Sequence, residues 1–128
     1  MRWGLLGLLI IGMAVAEAVP PTLDYETTTK TATVSAISSD VTLWDPAADH
    51  RFVLLGCMIN ARAAGTVELE VSDVDVIPPI RFESTGTVVI GFGYAPLYVS
   101  AEDAILTYTT TAGLFSIMCA GYEEAVGD

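Results

Sequence analysis

The sequence has 16 carboxylates and one histidine, and the carboxylates grouped closely enough to suggest acid–base or metal chemistry are few. Carboxylates fall at Glu68, Glu70, Asp73 and Asp75, and again at Glu102 and Asp103. A pair of carboxylates flanking a bond can run glycoside hydrolysis, one as acid and one as base or nucleophile. Glu68 and Glu70, however, are two apart in an alternating stretch, which puts both on one solvated strand face. Ser72–Asp75 and Glu102–Ala104 offer the oxygen ligands calcium takes, without the loop pattern of an EF-hand. His50 is the single histidine and would have to be the base of any Ser or Cys triad. It sits in a turn leading into a strand, where contact with solvent or Asp49 is the simpler role. There is no phosphate-cradling glycine loop. No catalytic residue, metal site or cofactor is assigned, and the chain is expected not to be an enzyme.

Cys57 and Cys119 are the two cysteines. Strand parity puts each on an inward face, Cys119 with Phe115 and Ile117. Two readings stay open: a disulfide, as in many exported chains, or two buried thiols acting as small hydrophobes. A zinc site would need more ligands than these two and His50. Tyr94 and Tyr98 flank a proline loop and are the candidates for ligand contact, through ring stacking on glycans; packing is the commoner use of such rings.

These residues must be held by strands. From Thr31 onward β-branched residues abound and turn residues recur at short spacing, the pattern of an all-β sandwich or barrel. The expected strands are Thr31–Ile37, Val41–Trp44, Arg51–Arg62, Thr66–Val71, Ile80–Glu83, Thr87–Phe92, Leu97–Val99, Ile105–Thr110 and Leu114–Tyr122. Ala64-Gly65 and Ala112-Gly113 read as tight hairpins. Pro78-Pro79 bars regular pairing and suits an edge or crossover. Ala101–Ala104 has room for one helical turn at most. Along Arg51–Arg62, unbroken alternation puts Val53, Leu55, Cys57, Ile59 and Ala61 on one face and Phe52, Leu54, Gly56, Met58 and Asn60 on the other. Both want burial, so the outer face of this strand reads as a contact surface.

The chain has 128 residues, 52% of them hydrophobic, and a net charge of −11. Its mean hydropathy is +0.55, high for a soluble monomer. The acidic balance argues against a nucleic-acid partner, which needs clustered positive charge to displace counterions. The first residues, MRWGLLGLLIIGMAVAEA, place one positive charge before an apolar run that ends in Ala16-Glu17-Ala18, the layout of a secretory signal peptide. A membrane anchor is the other reading, with membrane contact through residues 1–18 if they are retained. Residues 19–30 are polar, Thr-rich and led by proline. They read as an extended arm, with Val19, Leu23 and Tyr25 as its gripping side chains. Residues 31–128 form the domain.

The stretches LWDPAADHRFVLLGCMINARAAGTVELEV and APLYVSAEDAILTYTTTAGLFSIMCAGYEE resemble small single-sandwich proteins of phage and virus particles and related extracellular fibre subunits. The likeness spans about Thr42 to Glu124: a strand ending in Trp-x-Pro, a long apolar strand, and a closing strand after an Ala-Gly turn. It implies a single antiparallel β-sandwich of jelly-roll type and a part in a shell, spike or fibre. It transfers no catalytic residue. The signal-like N-terminus departs from most phage proteins, which assemble in the cytoplasm. The expected function is a structural subunit of an extracellular or virion assembly, a homo-oligomer or larger. A glycan-binding or host-attachment module is the alternative.

Overall fold

The computed structural model describes residues 26–127. Nine strands follow one another without a helix: β1 Thr28–Val34, β2 Ser38–Trp44, β3 His50–Ala61, β4 Gly65–Val71, β5 Val74–Phe82, β6 Gly86–Gly91, β7 Tyr98–Val99, β8 Leu106–Thr110 and β9 Phe115–Ala125. Among the described residues no helix is long and apolar enough to cross a membrane. The strands form two antiparallel sheets. One has the order β1-β9-β3-β6, with β7 also paired to β3; the other has the order β2-β8-β4-β5. The expected all-β, two-sheet sandwich is therefore present.

Alternation along each strand supplies the core between the sheets. Val67, Leu69 and Val71 of β4, Leu106 and Tyr108 of β8, and Phe115, Ile117 and Cys119 of β9 are all buried. Trp44 stacks on Phe52 at 5.3 Å, and Phe82 meets Phe115 edge-on at 5.9 Å. Two buried hydroxyls are satisfied. Ser100 Oγ accepts from Phe52 N–H at 3.0 Å and donates to Ala101 O, and Thr110 Oγ1 accepts from Ser38 N–H.

The two-faced apolar character of β3 has a geometric cause. Cys119 lies opposite Cys57 and Ala120 opposite Gly56, but Gly121 lies opposite Leu54. Leu55 is thus the extra residue of a β-bulge. Across it the parity of β3 reverses: Cys57, Ile59 and Ala61 face the core on one side, Leu54 and Phe52 on the other, all buried. The expected outer apolar face is corrected accordingly. Phe52 and Leu54 belong to the core, and only Gly56, Met58 and Asn60 remain outside. The bulge is held by close backbone. Phe92 N–H donates to Leu55 O at 2.8 Å, and Gly91, at φ +88°, admits no side chain because its Cβ would stand 2.6 Å from Leu55 O.

Several boundaries differ from the sequence reading. Thr28–Lys30, expected in the arm, pair with Gly121–Cys119 as the start of β1; Val19, Leu23, Tyr25 and residues 1–18 lie outside the described residues. The Arg62–Ala64 and Thr111–Leu114 turns are not hairpins: each carries the chain from one sheet to the other, because the residues they join bury on different inner faces. The hairpin lies at Ser72-Asp73, where both residues have positive φ, 51° and 64°, as a two-residue primed turn requires. Pro78-Pro79 interrupts regular pairing as expected: between Val67↔Ile80 and Leu69↔Ile77 the register slips by one residue, although strand β5 continues through it. The strand is an edge strand, so the missing donors cost it no ladder bond there.

At Gly121 a Cβ would run into the Val53 carbonyl oxygen and crowd the Trp44 ring at 3.1 Å. Gly121→Ala should therefore lower the unfolding free energy by about 1–3 kcal/mol. Gly93→Ala, with nothing within 4 Å of the added atom, should leave the urea midpoint unchanged; equal midpoints for the two variants would refute the close approach.

Candidate functional site

The sequence-predicted site residues fall in four places. Cys57 and Cys119 meet in register across β3 and β9 and are disulfide-bonded, tying the two long central strands over a separation of 62 residues. Tyr94 stands fully in solvent, whereas Tyr98 is half-buried, its ring 5.9 Å from Phe52. The two tyrosines differ in role: one is free to contact a ligand, the other packs on the core. His50 opens β3, with Nδ1 2.9 Å from Ala48 O. Its loop is tied down from the far side of the chain, as Asp49 N–H donates to Asp103 Oδ1 at 2.9 Å.

The carboxylates gather on the outer face of the β2-β8-β4-β5 sheet. Glu68 and Glu70 point outward from β4, with Asp40 from β2 and Asp75 from β5 beside them. Asp40, Glu70 and Asp73 bring one oxygen each within 4.8 Å of one another, as do Glu68, Glu70 and Asp75, and Asp49, Glu102 and Asp103 at the sandwich end. A shallow cleft of about 400 Å³ runs past Asp40, Asp73 and Asp103, floored by Thr42, Thr107 and Ile105. These are the groups that could hold a cation, and all of them are exposed or half-exposed.

The self-repulsion of this face is visible in its titration. Burial, then a hydrogen bond shared with Asp75 and the charges of Asp75 and Asp40, raises the Glu68 carboxyl above its ordinary value. Burial, a hydrogen bond shared with Asp40, and the charges of Glu68, Asp40 and Asp75 do the same to Glu70. Glu123 moves the other way. Burial pushes it up, but hydrogen bonds from Trp44 Nε1 at 2.8 Å and Ala47 N–H at 3.0 Å, with the charges of Lys30 and His50, outweigh that and hold it low.

The outer face of the other sheet differs in kind; the sequence reading named only its β3 part, Gly56, Met58 and Asn60, and missed its extension over β1, β6 and β9. Register places its outward residues in three rows: Thr33, Ser116, Asn60, Thr87; then Thr31, Met118, Met58, Val89; then Thr29, Ala120, Gly56, Gly91. No position of this grid is ionisable, in a chain of net charge −11. Met58 and Val89, at its centre, are 37% and 58% exposed. Asn60 Nδ2 donates to Thr87 Oγ1 at 2.7 Å, so its amide is held within the face. Charges border the grid at both ends: exposed Arg62 lies two residues beyond Asn60, its N–H donating to Leu114 O, and Arg51 and Glu124, past the bulge, pair with each other at 2.6 Å. The available signal was the spacing of Thr29, Thr31 and Thr33 with Met58 and Met118; only strand register joins them. Comparison with family models, curated proteins and solved structures gave no match.

The pH dependence follows from the two directions. Glu68 and Glu70 hold protons more tightly folded than unfolded, so their ionisation costs stability as pH rises above 4.5. Glu123 holds its proton less tightly when folded, so its contribution is present above 4.5 and is lost as pH falls below it. The melting temperature should rise as pH falls from neutral toward 4.5, and fall below 4.5 as Glu123 takes up its proton. Glu70→Gln should raise it at neutral pH and flatten the climb; a flat wild-type profile would contradict the assignment.

Proposed function

We propose that this chain is a structural subunit of an extracellular or virion assembly, a fibre, shell or spike, built on a jelly-roll sandwich. The strand orders support the jelly-roll type: β1-β9-β3-β6 against β2-β8-β4-β5 is two interleaved Greek keys, with successive strands crossing between sheets. The resemblance to small particle and fibre subunits points the same way.

One observation carries the assembly reading: the segregation of charge. Asp40, Glu68, Glu70 and Asp75 crowd one outer face, while the centre of the other is a grid of Thr, Ser, Asn, Met, Val, Ala and Gly with no ionisable side chain. Like-charged copies repel wherever acidic surfaces approach, and the cost falls with added salt. The uncharged grid is the surface on which two such molecules can meet without burying unpaired carboxylates. Methionine and β-branched side chains supply adaptable apolar area there. The export-like N-terminus suits a product that assembles outside the cytoplasm.

Light scattering of the full chain over a range of protein and salt concentration tests this. Species well above monomer mass, growing with salt, are expected. Met58→Glu, one charge at the centre of the grid, should shift assembly to roughly tenfold or higher concentration while leaving the unfolding free energy within about 0.5 kcal/mol of wild type. A wild-type chain that stays monomeric at every concentration and salt would overturn the reading.

A further inference from the structure

The sandwich has four sheet edges, and three are defended. Edge β5 carries Pro78 and Pro79 and two breaks of register against β4. Edge β2 is broken twice against β8 and turns through Asp40 at φ 51°. Edge β6 ends in Gly91, at φ +88°, where Phe92 folds back to bond Leu55. Prolines, bulges and short strands are the devices that stop edges pairing with other chains. Edge β1 has none of them. All seven of its residues match β9 one to one, Thr28 with Gly121 through Val34 with Phe115. Among the described residues β9 is its only ladder neighbour.

The hydrogen-bonding parity of β1 is fixed by its end. Arg62 N–H donates to Leu114 O at 2.9 Å and Leu114 N–H to Val34 O at 2.7 Å, so the main-chain groups of Val34 face β9. Alternation then turns those of Ala32 and Lys30 to β9 as well, and leaves the N–H and C=O of Thr29, Thr31 and Thr33 at the open edge. The one charge on the strand, Lys30, lies with its Nζ 5.9 Å from the centre of the Trp44 ring and its field on Glu123, drawn into the sandwich end.

We propose that this edge pairs with the same edge of a second copy, antiparallel about a two-fold axis through Thr31. The inference rests on the assembly reading and names its first contact. In that register Thr31 faces Thr31 of the copy and Thr29 faces Thr33, each pair exchanging two main-chain hydrogen bonds from groups that no described residue pairs. Lys30 falls opposite Ala32, so no like charges oppose. Centring on Thr31 uses the whole of Thr28–Val34; centring on Thr29 or Thr33 leaves part of the strand without a mate. The axis stands perpendicular to the sheet, so the uncharged grids of both copies lie on the same side. The product is one ten-stranded sheet, β7 of each copy included, with a doubled uncharged face and the acidic faces together on the other side. A copy of this chain is the occupant favoured here, because an edge without exposed charge offers a charged partner nothing to recognise, and its own register is self-complementary.

The test uses single substitutions in the full chain. Thr31→Cys should cross-link to itself with a short bismaleimide, giving a covalent dimer. Thr29→Cys should not, since residue 29 lies four residues from its own mate, about 14 Å along the strand. The native cysteines are bonded to each other and do not compete. Thr31→Pro removes a donor that has no intrachain bond among the described residues, and proline is tolerated on an edge. It should raise the dimer dissociation constant roughly tenfold or more with an unchanged urea midpoint. Wild-type assembly with equal cross-linking at 29 and 31, or with none at 31, overturns the edge pairing and leaves the assembly reading standing. A discrete dimer that cross-links at 31 but never grows supports the pairing and overturns the larger assembly. A chain that is monomeric throughout overturns both.

Discussion

The sandwich depends on one residue too many. Between Cys57 and Leu54 the strand β3 must change which of its faces looks inward, and the bulge at Leu55 does this. Without it, Phe52 and Leu54 would stand outside while Cys57, Ile59 and Ala61 stood in the core. With it, both halves of the longest strand fill the same interior. Everything placed near that point serves the change of parity. Gly91 and Gly56 let β6 and the Phe92 loop close on the bulged backbone, and Gly121 lets β9 approach Val53. The disulfide joins β3 and β9 one step to the side, and Trp44 fills the space over Gly121. Glu123, the next inward residue of β9, then caps the Trp44 indole and the Ala47 amide, linking the two sheets.

How far this was legible in the sequence depends on range. Local alternation locates β4 and β9, and it puts Cys57 and Cys119 on inward faces. The same rule fails on β3, because a bulge is a property of two strands: nothing in Phe52–Asn60 alone says that Gly121 will oppose Leu54. The prolines at 78 and 79 argue against a strand only where both sides are paired, and β5 is an edge. The Ala-Gly turns look like hairpins because turn residues report a change of direction and not the sheet to which the chain goes next. The true hairpin, Ser72-Asp73, lacks the glycine that would have announced it; two polar residues take positive φ there instead. The carboxylates were correctly read as solvated, but their convergence from β2, β4 and β5 needed the sheet.

The uncharged face could not be read along the chain for the same reason. Its twelve positions come from four strands that lie far apart in sequence, and each strand alone looks unremarkable: threonines on β1, a methionine on β3, a methionine and an alanine on β9. Put side by side, their twelve positions make a patch without an ionisable side chain in an acidic protein. Acidic residues keep an apolar-rich chain soluble before assembly. Their concentration on the opposite face lets them do so while leaving a side for contact. In the proposed assembly the two faces are complementary parts of one arrangement, with repulsion setting where copies would not meet and its absence setting where they would.

Edge and face would then act in sequence. A two-fold pairing of β1 consumes the one undefended edge in each copy, so edge growth stops at two. Seven-residue edges bury little area, well short of the roughly 1,000 Å² that a durable interface usually needs. Such a dimer is weak alone and gains from anything that also covers its uncharged side. The pairing sets two grids on one side of a continuous sheet, doubling the surface offered to a third copy without bringing the acidic faces of successive layers together. The edge therefore fixes direction and the face supplies area. A closed pair is the end state if the face finds no mate, and an extended assembly is the end state if it does.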